Sequence, residues 1–199
     1  MDLQASFAAF SLLFVMEMGD KTQLAVLSLT AKTGRPMPVF FGALLGLAAV
    51  TLIGVTLGTA IVAFVPGDWV GWAAAIGFIV MGAVILLTAL RNGGQGDGEE
   101  EIEHAPKSRS ALGIAAGTSV LLFVAELGDK SQLAVIGLTA QLQSPAAVFI
   151  GGVTALTLVT LAGVVLGKMV TRVVPVRWLS IGSGIMFIVI GALTLAGIF

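Results

Sequence analysis

Two short segments of the chain carry side chains able to do chemistry: EMGDKTQLAV, with Glu17, Asp20, Lys21, Thr22 and Gln23, and ELGDKSQLAV, with Glu126, Asp129, Lys130, Ser131 and Gln132. Each lies inside a long apolar run. Carboxylates, hydroxyls and amide oxygens make an all-oxygen donor set, suited to a hard cation such as Mn²⁺, Ca²⁺ or Mg²⁺, and the same acids can hold protons instead. Charged side chains in the middle of a bilayer cost about 2.5 to 3.5 kcal/mol on insertion scales, so intramembrane acids point to function. Within each segment the acids are three apart and the lysine follows the glutamate by four. On a continuous helix that spacing puts the acids on one face and allows an intrahelical Glu–Lys pair. Four carboxylates and two ammoniums sum to −2, a charge that one divalent cation or two protons would neutralise. The chain has no cysteine, and its one histidine, His104, stands outside the apolar runs, which argues against zinc or copper. The bland alternative is a set of internal salt bridges that fix helix register. Two copies, each with one acid more than its lysine balances, argue against it.

The elements that must position these residues are helices in a membrane. Of the 199 residues 57% are hydrophobic and 11% charged, and the mean hydropathy is +1.06. That balance excludes an ordinary soluble domain and a nucleic-acid binder. Six apolar segments, at residues 5–31, 39–65, 69–90, 111–140, 146–170 and 178–198, are each long enough to cross a core about 30 Å thick. The predicted fold is therefore an all-α polytopic membrane protein with six transmembrane helices. The first segment holds two acids and a lysine and lacks a small-residue cleavage site, so it reads as retained rather than as a signal peptide. Most connections are short and carry turn residues, whereas residues 92–109 form a polar, acidic stretch that reads as a solvated linker.

Sliding the sequence against itself by 109 residues aligns 14–31 with 123–140 at 13 of 18 positions. The register continues ungapped: Pro36 meets Pro145, Gly54 and Gly58 meet Gly163 and Gly167, Pro66 meets Pro175, Trp69 meets Trp178, and Gly82 meets Gly191. Residues 1–91 and 110–199 are thus two copies of a three-helix unit. An odd helix count per copy inverts the second relative to the first, an arrangement of secondary transporters. The basic residues agree: apart from Lys21 and Lys130, all eight (Lys32, Arg35, Arg91, Lys107, Arg109, Lys168, Arg172 and Arg177) fall in the first, third and fifth loops. By the positive-inside rule that face is cytoplasmic, the linker with it, and both termini lie outside.

Seven of the eleven acids fall in termini or loops, leaving Glu17, Asp20, Glu126 and Asp129. Glu17 stands twelve residues into its span, about 18 Å deep, near the midplane. Inverted repeats would gather the four acids around one pseudo-two-fold axis. Gly19 and Gly128, between the acids, would permit a helix break that turns backbone carbonyls toward an ion, or would allow close packing. Gly42 with Gly46, Gly54 with Gly58 and Gly163 with Gly167 have the small-xxx-small spacing of packed membrane helices. Thr51 and Thr160 either line the pathway or bond their own backbone. Trp69, Trp72 and Trp178 read as interface anchors.

With Glu17, Gly19, Asp20, Lys21 and Thr22 matched by Glu126, Gly128, Asp129, Lys130 and Ser131, the sequence resembles the cation/proton exchanger family with twin E-x-G-D-[KR]-[ST] motifs, over nearly its whole length. That family includes Golgi manganese and calcium transporters and bacterial manganese exporters. The resemblance implies export of Mn²⁺, or Ca²⁺ in some members, in exchange for protons, with Glu17, Asp20, Glu126 and Asp129 as metal ligands and no resident cofactor. Of these, Glu17 and Glu126 are the first choices to carry protons as well. Lys21, Thr22, Gln23, Lys130, Ser131 and Gln132 would support the site. The compact chain looks like a prokaryotic member of the plasma membrane, a monomer or homodimer, with the lipid bilayer and a divalent ion as its partners. The competing readings are an exporter of a cationic organic solute such as a basic amino acid, a channel, and a membrane-embedded metal-dependent hydrolase. The last lacks any H-E-x-x-H motif or nucleophile with a base.

Overall fold

The computed structural model describes residues 2–18, 20–64, 67–91, 110–173 and 176–196. Gly19 and the linker 92–109 lie outside the described residues, as do the surroundings of Gly167, Lys168, Arg172 and Arg177. Among the described residues there are eight α-helices and no strand: α1 (Leu3–Glu17), α2 (Lys21–Thr33), α3 (Pro36–Phe64), α4 (Gly67–Arg91), α5 (Ala111–Glu126), α6 (Lys130–Leu142), α7 (Pro145–Val173) and α8 (Val176–Leu195).

The expected segments 5–31 and 111–140 are each two helices rather than one. α1 gives way to α2 and α5 to α6 at the two motifs, and the second pair bends by 71°. Backbone geometry supplies the reason. Gly128 sits at φ +81°, a conformation that costs glycine nothing and ends a right-handed helix. A Cβ there would meet nothing within 4 Å, so the glycine serves the turn and not packing. Among the described residues, three helices qualify by length and composition to cross a membrane, within Pro36–Phe64, Trp72–Arg91 and Pro145–Val165, or four if α5 and α6 count as one broken span.

The local signals recur at equivalent positions. α3 and α7 open on Pro36 and Pro145, where a missing N–H costs no hydrogen bond. Ahead of them, Gly34 (φ +64°) and Gln143 (φ +49°) end α2 and α6 in the left-handed conformation, their N–H groups donating to Thr30 O and Thr139 O. Residues 34 and 143 are one repeat apart, so the turn keeps its shape although only one copy has glycine.

Packing is also repeated, and it runs between the halves. α1 lies on α7 as α3 lies on α5, while α4 lies against α8 and α3 against α7. Exchanging the halves reproduces these pairings. Small residues allow the contacts: a Cβ on Gly42 would come within 2.3 Å of Ala115 O, and one on Gly151 within 2.1 Å of Ser6 O, the same pair one repeat on. Gly82 meets Gly184 and Ile188 as Gly191 meets Ala75 and Ile79. Gly54 and Gly58 lie against α6 and Gly163 against α2, as small-residue packing requires.

Two buried apolar clusters flank the centre. One joins Leu12, Leu13, Phe78, Leu138 and Phe187, and the other Val26, Leu29, Leu47, Ile114 and Leu122. Outside, Leu45, Leu52, Leu57, Val80, Leu87 and Val165 are exposed, an apolar surface that suits lipid rather than water. Trp69, Trp72 and Trp178 are exposed near the starts of α4 and α8.

Candidate cation site between the two broken helices

Each motif straddles a helix break, and the break distributes its residues. Glu17 and Glu126 are the last residues of α1 and α5, and Lys21 and Lys130 the first of α2 and α6. The turn between is closed by Glu17 O accepting from Asp20 N and Glu126 O from Asp129 N, both at 3.2 Å. Asp20 and Asp129 occupy the N-cap positions of α2 and α6, yet neither side chain makes the customary cap hydrogen bond. Their carboxylates face lysines of the opposite half: Lys130 Nζ lies 2.8 Å from Asp20 and Lys21 Nζ 3.5 Å from Asp129. The expectation of acids on one helix face with intrahelical Glu–Lys pairs is therefore corrected, because no helix continues from residue 17 to 21 or from 126 to 130.

Glu17, Glu126 and Asp129 each offer a carboxylate oxygen within 4.8 Å of the other two, close enough for one cation to bridge them. Asp20 lies outside that group of three, its carboxylate turned to Lys130. The two glutamates are buried, and they differ in their neighbours. Glu126 accepts from Thr22 Oγ1 of the other half and, at 3.0 Å, from Ser131 Oγ of its own. Neither oxygen of Glu17 has a hydrogen-bond partner, and Asp129 Oδ2 is likewise buried without one. Buried carboxylate oxygens are costly to leave unmatched. Such oxygens beside two other acids define a place that a cation or a proton would satisfy.

The supporting residues fall into place unequally. Gln132 Oε1 accepts from Gly128 N at 2.5 Å and so stabilises the turn itself. Gln23 is buried at the equivalent position in α2. Lys21 also donates to Ala125 O at 3.0 Å, a carbonyl in the last turn of α5. That contact explains what the break does for the backbone: the negative end of α5 gains a cation. Sequence reasoning did not single out Ala125, since any residue supplies a carbonyl. A cavity of about 10 Å³, the room of one water or one bare ion, lies beside Glu126, Ser131 and Gln132 and is walled by Thr51, Leu13 and Leu156. Thr51 lines this cavity, and its hydroxyl donates to Leu47 O of its own helix at 2.8 Å.

An all-helical apolar protein, with carboxylates from two repeated helix breaks gathered at its buried centre, has the construction of a secondary cation transporter. Comparison with known proteins gives the family. The profile of the family described as "Divalent cation/proton antiporter GDT1" matches residues 5–93 and 114–198, and the chain belongs to that family. Its similarity extends to "GDT1-like protein 5" of Arabidopsis thaliana, 28% identical over 95% of this chain and 94% of that protein. "GDT1-like protein sll0615" of Synechocystis is 30% identical, with 93% of each chain covered. A Vibrio cholerae protein named "Putative manganese exporter" is 29% identical over 80% of this chain and 74% of its own. No solved structure matches. The protein is thus a multi-pass membrane transporter and not an enzyme, which removes the hydrolase reading.

Proposed function

We propose that the protein exports a divalent cation from the cytoplasm in exchange for protons, with Mn²⁺ the favoured cargo and Ca²⁺ the alternative. The observation that carries this reading is the approach of Glu17, Glu126 and Asp129, contributed by both motifs, to within 4.8 Å of one another. Family membership supplies the antiport class, and the Vibrio relative's name supports manganese. Glu17, Glu126 and Asp129 are the ligands, joined by Asp20 when Lys130 releases it, and the hydroxyls of Thr22 and Ser131 complete an oxygen shell. Protons and the cation compete for these oxygens, so occupancy by one expels the other. From the cytoplasmic side the cation displaces protons, the two halves rock, and protons from outside displace the cation.

The architecture that serves this cycle is a pair of inverted three-helix units, residues 1–91 and 110–199, in which α1 with α2 and α5 with α6 each cross the membrane once as a broken span. Three observations support it: the 109-residue repeat, packing that survives exchange of the halves, and, Lys21 and Lys130 apart, basic residues confined to the chain around alternate connections between the apolar segments. Both termini then lie outside, the linker 92–109 is cytoplasmic, and the membrane is the plasma membrane of a prokaryote.

The test is flux. Protein reconstituted in vesicles is expected to move Mn²⁺ against Ca²⁺ and Mg²⁺ controls at a rate set by an imposed pH gradient. Glu17→Gln and Asp129→Asn are expected to abolish that flux. Transport indifferent to the gradient, or retained by both variants, would remove the proposal, as would transport of a basic amino acid without any divalent ion.

A further inference from the structure

We propose that Lys21 and Lys130 set the valence of the cation the site accepts, a step that rests on reading the site as one for divalent cations. The geometry assigns each ammonium to one aspartate of the opposite half, Lys130 to Asp20 at 2.8 Å and Lys21 to Asp129 at 3.5 Å. Two of the four acids are thereby balanced. What remains is the charge of Glu17 and Glu126, two buried carboxylates, one of which has no hydrogen-bond partner at either oxygen. The unbalanced charge is −2.

In a poorly screened interior a guest that cancels the site's charge is favoured over one that leaves a residue of either sign. A divalent cation cancels −2, a monovalent cation leaves −1 and a trivalent cation leaves +1. Carboxylate and hydroxyl oxygens alone do not discriminate in this way, since hard trivalent ions take the same donors. The lysines therefore act as specificity-determining residues through their charge. They sit at the first position of α2 and α6, with the broken backbone delivering each ammonium across the interface rather than along its own helix.

Replacing one ammonium by an uncharged chain of similar length takes the site to −3. The added attraction scales with the charge of the guest, so a trivalent ion gains more than a divalent one. The Tb³⁺-to-Mn²⁺ affinity ratio is expected to rise on the order of tenfold or more.

The experiment titrates purified full-length protein with Mn²⁺ and, separately, Tb³⁺, in the wild type, Lys130→Met, Lys21→Met, Lys130→Arg, Asp20→Asn and the double variant Asp20→Asn/Lys130→Met. Both methionine variants should raise the Tb³⁺-to-Mn²⁺ ratio, Lys130→Arg should keep the wild-type ratio, and Asp20→Asn should lower it. The double variant restores −2 and should return the ratio toward that of the wild type. A purely structural role for the lysines predicts instead that affinity for both ions falls together and that the double variant does not recover; that pattern, or an unchanged ratio, overturns the proposal. If neither methionine variant folds, the double variant against Asp20→Asn alone decides, and equal ratios in those two also overturn it. A wild type that binds no Mn²⁺ would sink the functional reading itself, whereas Mn²⁺ binding with a ratio blind to the lysines sinks only this inference.

Discussion

Thr22 and Ser131 show how a single hydroxyl differs from its equivalent one repeat away. Both donate to Glu126, Thr22 from across the interface and Ser131 from five residues along its own chain, while Glu17 receives neither. Thr22 is thus a bond between the halves as well as a potential ligand. Thr22→Val keeps the shape and removes the donor, leaving a buried carboxylate one partner short, a loss of about 1.5 to 3 kcal/mol for a hydrogen bond to a charged group. The expected outcome is a lower unfolding temperature and several-fold weaker Mn²⁺ binding, with Thr22→Ser close to the wild type. Thermal melts with and without Mn²⁺ check both. The motif residues themselves were legible from their types. Their partners were not, because the i to i+4 spacing of Glu and Lys describes a neighbour only where the helix is unbroken.

Elements meet here through glycine. Gly42 and Gly151 let α3 and α7 press against the backbones of α5 and α1, with no room for a methyl group. Alanine has the better helix propensity, by about 1 kcal/mol, and at both positions the clash with a carbonyl oxygen is expected to outweigh it. Gly77 on α4 provides the control, since a Cβ there meets nothing within 4 Å. Gly42→Ala and Gly151→Ala should lower the melting temperature, and Gly77→Ala should leave it unchanged or raise it. A second device sits at the start of α1, where Asp2 caps the helix by accepting from Ala5 N at 3.1 Å and also accepts from Ser144 Oγ at 3.2 Å. The Ala5 amide, first among several causes, holds its carboxyl below the usual carboxylate range. A lowered folded-state pKa stabilises the fold above the unfolded value, near 3.9, and that contribution fades as the pH falls through the folded value. The protection factors of the amides at Ser6 and its neighbours, which divide out the pH dependence of intrinsic exchange, should therefore fall as the pH drops below about 4 in the wild type. In Asp2→Ala they should be low at every pH.

At the scale of the whole molecule, the principal packing is between halves rather than within them: α1 on α7, α3 on α5, α4 on α8. Both buried apolar clusters draw on both halves, and the proposed cation site takes acids from both motifs. Residues 1–91 and 110–199 produced as separate chains are expected to copurify and to restore Mn²⁺ flux, while either alone should aggregate or be degraded. Pull-down of one tagged half, followed by flux, checks this. Length and hydropathy were enough to establish helices and a membrane protein, and the 109-residue repeat directed attention to four intramembrane acids, because burial in lipid demands apolar runs and makes every exception conspicuous. That Lys21 answers Asp129 and Lys130 answers Asp20, and that neither oxygen of Glu17 has a donor, were decided by the tertiary structure. Those contacts join residues about a hundred positions apart, and spacing along one chain carries no information about which side chains another helix will bring into contact.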